Sequence, residues 1–387
     1  MAEDLLCRAE LQELALAHHG DGVSQNERLL LIVRDEDHRG AELALQALEL
    51  PAHPHAQRRV EVRERLVKQA ELWLDDERAG ECHALLLAAG LAAVTHQAVS
   101  QADEPLRIGT TYMTMNNPFY SVIDEELRLV IESRGDILLT RDPALDQERQ
   151  NGEIRDLLHE DIDLLVLNPV DYREIEPALR EAQKAGVPVV VIDSQVSDSN
   201  LVACTIASDN YGAGVLCAEH LMNTCDSAKV VLIEHASTKS GTDRIQGFCD
   251  TLASHPNFQI IGRADSAGQL EVAMPQMDRL LEQGIVPDAV MCLNDPSALG
   301  AMAALQEHGL LEKTTVYGVD GAPEAKSMIS EGAMTATAAQ SPIRLGQITA
   351  QTVYAILNGE DYEKEITVPV ELVTKDNVNG YDMNGWQ

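Results

Sequence analysis

The sequence predicts an α/β protein in which two doubly wound parallel-sheet lobes follow an all-α N-terminal region. From residue 106 onward, short apolar runs alternate with amphipathic segments, which is typical of strand–helix units in parallel sheets. These units form two series, one before and one after residue 208. Residues 1–100 lack the alternation, and their apolar residues recur at helical spacing instead.

In the first series we predict strands at 107–111, 136–140, 163–167 and 188–193, with helices at 118–134 and 172–185. Pro118 stands at the start of a helix, and Gly135 and Gly186 follow helix ends. In the second series we predict strands at 230–234, 259–264, 288–293 and 315–319. Its predicted helices cover 212–222, 243–252, 296–308 and 323–330. Two such lobes leave a cleft between them, where ligands bind.

Composition and motifs exclude several functions. The formal charge is −34, from 63 acidic and 29 basic residues, so the chain lacks the basic face that nucleic acid requires. The seven cysteines contain no CxxC pair, and seven of the twelve histidines lie in residues 1–100 without well-spaced carboxylates. The sequence contains no GxxxxGK[ST], HExxH or GxSxG motif, and no GxGxxG after a strand. We therefore expect no catalytic residues, no metal and no cofactor.

Polar residues follow four predicted strands: Asn168, Asp193, Asn294 and Asp320. Any one of them could be a helix N-cap or turn residue, but equivalent ends of two sheets converge on one cleft. Asn and Asp side chains satisfy the hydroxyl groups of a sugar, and an aromatic face packs against its C–H surface. Phe119 and Tyr120, at the start of the first helix, supply such faces, although ordinary core packing would explain them equally well.

Residues 106–387 resemble the ribose/galactose type of periplasmic sugar-binding protein, the type I solute-binding proteins of ATP-driven importers. The stretches that carry the resemblance are 116–120 (NNPFY), 167–169 (LNP), 206–210 (IASDN), 244–248 (RIQGF), 293–300 (LNDPSALG), 318–323 (GVDGAP) and 335–340 (TATAAQ). The resemblance implies ligand contacts at Asn117, Phe119, Tyr120, Asn168, Asp193, Arg244, Asn294, Asp320 and Gln340. Three positions depart from the ribose-binding pattern: Ser194 replaces an arginine, and Ser266 and Val319 replace aromatics. These departures predict a wider, more polar pocket and a sugar or polyol other than ribose.

The resemblance also implies that the chain crosses between the lobes three times, which restricts the motion to hinge closure. The first lobe would comprise 106–208 plus 341–370, and the second 209–340 plus 371–387, with residues 1–100 as a helical region of unknown role. The expected partners are a sugar or polyol and the membrane permease of an importer, with no nucleic acid.

Localisation stays open between two alternatives. The resemblance implies the cell envelope, or periplasm. The segment MAEDLLCRAELQ lacks the pattern of a secretory signal, and unpaired cysteines favour a reducing compartment. These two features favour instead a cytoplasmic sugar sensor whose helical region relays closure to a partner.

Overall fold

The computed structural model describes residues 104–387; the predicted helical region 1–100 lies outside the described residues. The strands are β1 (Arg107–Thr111), β2 (Ile137–Arg141), β3 (Leu164–Leu167), β4 (Val189–Ile192), β5 (Cys204–Ser208), β6 (Ala228–Glu234), β7 (Phe258–Asp265), β8 (Ala289–Cys292), β9 (Thr315–Asp320), β10 (Ala336–Ala339), β11 (Glu365–Val368) and β12 (Glu371–Thr374). The helices are α1 (Pro118–Ser133), α2 (Gln147–His159), α3 (Glu176–Ala185), α4 (Asn210–Thr224), α5 (Lys239–Leu252), α6 (Leu270–Glu282), α7 (Asp295–Glu307), α8 (Pro323–Glu331) and α9 (Pro342–Asn358).

The strands form two six-stranded sheets, which confirms the predicted pair of α/β lobes. The first sheet has the order β11-β5-β4-β3-β1-β2 and is parallel throughout. The second has the order β12-β10-β9-β8-β6-β7, and only its edge strand β12 is antiparallel. In both sheets the strand order reverses direction beside the first strand of the lobe, and this reversal opens a crevice at the carboxyl ends of the strands.

Continuous apolar sequence explains the central strands. The segments LLVL of β3, VVVI of β4 and AVMC of β8 are buried at every residue, as expected where helices cover both faces of a parallel sheet. Local signals set the helix ends. Asn117 caps α1 by accepting a hydrogen bond from the Phe119 N–H, and Pro118 occupies the first turn.

The sequence pattern did not predict α2, α6, α9, β5, β10, β11 and β12, and two of these elements show why. The segment QERQNGEIRDLLH forms α2 although it buries only Gln150, Ile154 and Leu157. The segment ATAA forms the buried strand β10 without any of the large β-branched or aromatic residues that signal a strand.

The chain passes between the sheets at three places. It leaves the first sheet after β5, returns through α9 after β10, and passes from β11 to β12 within two residues. The Asp209 N–H donates to the Val368 carbonyl (2.9 Å), so two of these connections are hydrogen-bonded to each other.

Candidate ligand-binding cleft

The carboxyl ends of both sheets face a single cleft, which holds about 410 Å³ of empty space, part of it open to solvent. Eight of the nine residues implied by the resemblance line it: Asn117, Phe119, Tyr120, Asp193, Arg244, Asn294, Asp320 and Gln340.

Asn168, the ninth residue, is fully buried behind the cleft. Its Oδ1 accepts a hydrogen bond from the Met113 N–H (3.1 Å), and its Nδ2 donates to the Ile192 carbonyl (3.1 Å) and to Asp193 Oδ2 (3.2 Å). Asn168 therefore holds the loop after β1 and the carboxylate of Asp193 in place, and its side chain has no hydrogen-bonding group left for a ligand.

Arg244 lies at the centre of the cleft because two helices approach very closely. A Cβ atom on Gly214 of α4 would overlap the Arg244 carbonyl oxygen, so only glycine permits this approach. Arg244 Nε donates to Asn210 Oδ1 (2.8 Å), and Nη1 donates to the Leu293 carbonyl (2.9 Å). The guanidinium then lies 3.9 Å from Asp193 Oδ1 and 3.5 Å from Asp320 Oδ1, between the two lobes.

The cleft contains more buried acidic groups than buried bases. Burial raises the pKa of Asp320 to about 7, with Arg244 opposing the shift and the charge of Asp193 adding to it. Burial also raises the pKa of Asp193, and it holds the pKa of Asp295 well above its usual range, with the neighbouring Asp320 adding to that effect. Arg244 therefore stabilises the charged forms of Asp193 and Asp320, whereas burial favours their protonated forms.

The backbone at two of these acids is strained. Asp193 has φ +67° and Asp320 has φ +133°, in the region that favours glycine. Such conformations persist only where surrounding contacts enforce them, and they concentrate at ligand sites. The Gln340 N–H donates to the Asp320 carbonyl (3.0 Å), and Gln340 Nε2 donates to Asp320 Oδ1 (2.8 Å). These bonds aim the Asp320 carboxylate into the cleft.

Aromatic rings form one wall of the cleft. Phe119 and Tyr120 pack edge to face, with centroids 5.5 Å apart, and Trp386 packs against Phe119 at 5.8 Å. The Tyr120 hydroxyl donates to Asp193 Oδ2 (3.2 Å), so the ring is fixed against the acidic cluster. Trp386 does not line the cavity itself; it packs against Phe119 from a position far along the chain.

Several buried polar atoms at the cleft have no hydrogen-bond partner within the described part of the chain. They are Asp193 Oδ1, Gln340 Oε1 and both ring nitrogens of His235. By contrast, Asn294 uses its side chain locally, because Oδ1 caps α7 at Ser297 and Nδ2 donates to the Gly268 carbonyl. An unmade hydrogen bond on a buried group costs about 1–3 kcal/mol, so these atoms are positioned for a polar ligand.

Sequence reasoning missed several residues that line the cleft: Met113, Thr114, His235, Thr238, Ser240 and Gln269. His235 directly follows β6, so the same strand-end argument that selected Asn294 and Asp320 could have found it. Gln269 lies in the loop after β7 and carries no such signal.

The three departures from the ribose-binding pattern do not line the cavity. Val319 is buried in the core, and Ser266 Oγ shares a hydrogen bond with Ser297 Oγ (2.8 Å). Ser194 Oγ accepts hydrogen bonds from the first two N–H groups of α5 in the opposite lobe. The small side chains thus change what surrounds the cavity, and Ser194 contributes to closing it.

Direct hydrogen bonds join the lobes across the cleft, so the structure shows the closed arrangement. These bonds run from Lys239 N (3.1 Å) and Ser240 N (3.2 Å) to Ser194 Oγ, from Tyr172 N to Ser237 O (3.1 Å), and from Asn116 Nδ2 to Gln269 Oε1 (3.0 Å). They surround the residues that face the ligand and stabilise closure.

Two further observations concern residues 104–387. In this part of the chain no group of three or more His, Cys, Asp or Glu side chains is arranged to hold a metal ion. None of the helices described here has a stretch that is both long and apolar enough to cross a membrane.

Known proteins share both the sequence and the architecture of this region. The ribose import binding protein of Bacillus subtilis (strain 168) is 29% identical over 270 residues, which are 69% of this chain and 87% of that protein. The counterpart from Escherichia coli (strain K12) is 27% identical over 294 residues, which are 76% of this chain and 98% of that protein. A solved ABC transporter solute binding protein from Mycobacterium smegmatis, with bound glycerol, is 30% identical with a TM-score of 0.67; the match covers 71% of this chain and 96% of that one.

These relatives are binding proteins rather than enzymes, which agrees with the prediction that this chain is not an enzyme. The family model described as a periplasmic binding protein domain matches residues 108–361, well over half of the chain. The protein therefore belongs to the periplasmic binding protein family, among the sugar-binding solute receptors of ABC importers.

Proposed function

We propose that the cleft binds a small polyhydroxylated ligand, a sugar or polyol, and that the lobes close around it. The carrying observation is the pair of buried acceptors Asp193 Oδ1 and Gln340 Oε1, which accept no hydrogen bond within residues 104–387 and can accept one from a ligand. Hydroxyl groups supply such donors, and the rings of Phe119 and Tyr120 suit the apolar face of a sugar.

The proposed mechanism is a shift of population toward the closed state, without covalent chemistry. A ligand hydroxyl on Asp193 and another on Gln340 tie together groups that enter the cleft from different sheets. The lobe–lobe hydrogen bonds at Ser194 then form as the cleft closes. A closed receptor delivers its sugar to the permease of an ATP-driven importer, as the relatives' names indicate for those proteins.

We further propose that ribose is not the preferred ligand, even though ribose-binding proteins are among the relatives. The support is the replacement of one arginine and two aromatics by Ser194, Ser266 and Val319, while the Asp, Asn, Arg and Gln contacts are retained. Hexoses, cyclitols and longer polyols offer more hydroxyls than ribose to a cleft of this polarity.

Isothermal titration of the full-length protein tests both statements. The panel is D-ribose, L-arabinose, D-galactose, D-allose, myo-inositol and glycerol. We expect at least one six-carbon ligand to bind at least tenfold more tightly than ribose. Tight ribose binding with no better competitor would overturn the ligand assignment, and failure of every compound would overturn the receptor proposal.

We place the protein in the cell envelope, in line with the family. The two fully buried thiols Cys217 and Cys292 do not argue against this location, because burial raises the pKa of Cys217 to about 12 and that of Cys292 well above its usual range. Such thiols form almost no thiolate and stay inert in either compartment. Fractionation of native cells is the test: full-length protein confined to the cytosol would contradict the importer role and favour the sensor alternative.

A further inference from the structure

His235 occupies an unusual place beside the proposed ligand site. In the second sheet, Gln340, Asp320, Asn294 and His235 lie at the ends of the neighbouring strands β10, β9, β8 and β6. Neighbouring strands are about 4.8 Å apart, so this row extends across roughly 14 Å of the cleft. His235 forms the far end of the row, next to β7.

The imidazole of His235 is buried, and its one close charged neighbour in the described part of the chain is Asp265. The residue is 8% exposed, and neither Nδ1 nor Nε2 has a hydrogen-bond partner among the described residues. The nearest acidic oxygen is Asp265 Oδ1, 3.5 Å from Nδ1, too long for a good hydrogen bond. The backbone of His235 is held firmly, because its carbonyl accepts a hydrogen bond from Thr238 Oγ1 (3.3 Å).

The contact with Asp265 involves only the Nδ1 side of the His235 imidazole. The Asp265 side chain is 52% exposed, and its oxygens already accept hydrogen bonds from the N–H groups of Ala236 (3.1 Å) and Ala267 (2.8 Å). The His235 imidazole and these N–H groups together lower the pKa of Asp265 to about 2, so the carboxylate stays charged. Because this carboxylate faces Nδ1, Nε2 is the ring nitrogen left for a ligand.

The neighbouring strand end leaves room for the ring. The Ser266 N–H donates to the Glu234 carbonyl (2.9 Å), so position 266 lies beside His235 at the ends of β6 and β7. A serine at 266, engaged with Ser297, leaves this side of the cleft free of a bulky side chain. Position 266 therefore places no bulky side chain beside His235.

We propose that His235 is a specificity-determining ligand contact, whose Nε2 hydrogen-bonds a ligand hydroxyl at the β6 end of the cleft, two strands away from Asp320 at the end of β9. The proposal rests on the sugar-binding function proposed above and narrows its ligand class. The preferred ligand carries a hydroxyl at both ends of the row, which favours a hexose, a cyclitol or a longer polyol.

The test is a double-mutant cycle between the protein and the sugar, measured by isothermal titration of the full-length chain. The probes are the tightest hydroxylated ligand of the panel and its single-position deoxy analogues, such as D-fucose for D-galactose. We expect His235→Ala to weaken the parent ligand about tenfold to a hundredfold, the cost of one unmade buried hydrogen bond. One deoxy analogue should bind the variant and the wild type within threefold, because it lacks the hydroxyl that His235 contacts.

His235→Asn keeps a polar side chain and guards against loss of folding, and we expect it to recover part of the affinity. His308→Ala is the matched control, because His308 pairs with Asp278 at the end of α7 and does not line the cleft. If His235→Ala lowers the affinity for every analogue equally, or does not lower the affinity for the parent ligand, the assignment of His235 is overturned. The proposed receptor function would remain. If the wild type binds no compound, the receptor function fails, and the assignment of His235 fails with it.

Discussion

The two faces of the cleft are built differently. The first lobe presents aromatic rings and a single acid, Asp193, held by Tyr120 and Asn168. The second lobe presents Arg244, Asp320 and a row of polar strand ends. This difference indicates that the first lobe packs against the apolar side of a sugar ring, whereas the second lobe forms hydrogen bonds with the sugar's hydroxyl groups. Closure joins the two faces, so variants on each should fail in different ways.

The largest effect is expected at Arg244. Arg244→Ala leaves Asp193 and Asp320 buried without the cation between them, and breaking a buried ion pair costs about 3–5 kcal/mol. We expect ligand affinity to fall by more than a hundredfold in titration calorimetry, together with a lower Tm. Arg279→Ala is the control, because that guanidinium is exposed and bonds only the Pro275 carbonyl within its own helix. Affinity within fivefold of wild type would show that the second lobe does not supply the central charge.

A smaller effect is expected at Ser194, which tests closure rather than ligand contact. Ser194→Ala removes the acceptor for the buried N–H of Ser240 and the half-buried N–H of Lys239, at a cost of about 1–3 kcal/mol in the closed state alone. We expect affinity to fall about tenfold through faster ligand release in stopped-flow fluorescence of Trp386, which packs against Phe119. The measurement is made in a Trp73→Phe background. Ser199→Ala, on an exposed turn, should leave the release rate unchanged; an unchanged rate in Ser194→Ala itself would contradict the closure role.

The sequence predicted the central strands of both sheets because buried parallel strands consist of short runs of apolar residues. The runs at β3, β4, β8 and β9 end at turns, and polar residues directly follow or end these strands, which is why Asp193, Asn294 and Asp320 could be selected. The sequence pattern did not predict the polar helix α2 or the alanine-rich strand β10, because neither contains a distinct apolar run that ends at a turn.

Other features depend on three-dimensional contact and leave no local pattern. The bond from Asn116 to Gln269 joins side chains of different lobes, 153 positions apart in the chain. Asn168 directly follows a strand, as Asp193 does, but its side chain donates a hydrogen bond to Asp193 instead of facing the cleft. The position of a polar residue at a strand end therefore predicts where the cleft lies. Only the hydrogen bonds in the structure show whether its side chain is available to a ligand or holds a neighbouring residue in place.

The smallest expected effect is a pH dependence of the protein's stability. It arises from the buried acids of the second lobe. Burial raises the folded-state pKa of Asp320 from 3.8 to about 7, so the stability that this group contributes is complete below about pH 4 and is lost as pH rises through 7. Asp320→Asn removes the titration but keeps an oxygen that accepts the hydrogen bond from Gln340. The variant also relieves Asp295 of a neighbouring charge, which acts in the same direction.

In ligand-free protein, the Tm of the wild type relative to Asp320→Asn should therefore fall steadily between pH 4 and pH 8. Taking the difference between the two proteins cancels groups common to both, such as Asp265, whose pKa of about 2 gives the opposite slope at acidic pH. A difference that stays flat across this range would mean that Asp320 is solvated in the free protein, as it would be if the lobes were open. The same measurement thus reports whether the two faces of the cleft meet before the ligand arrives.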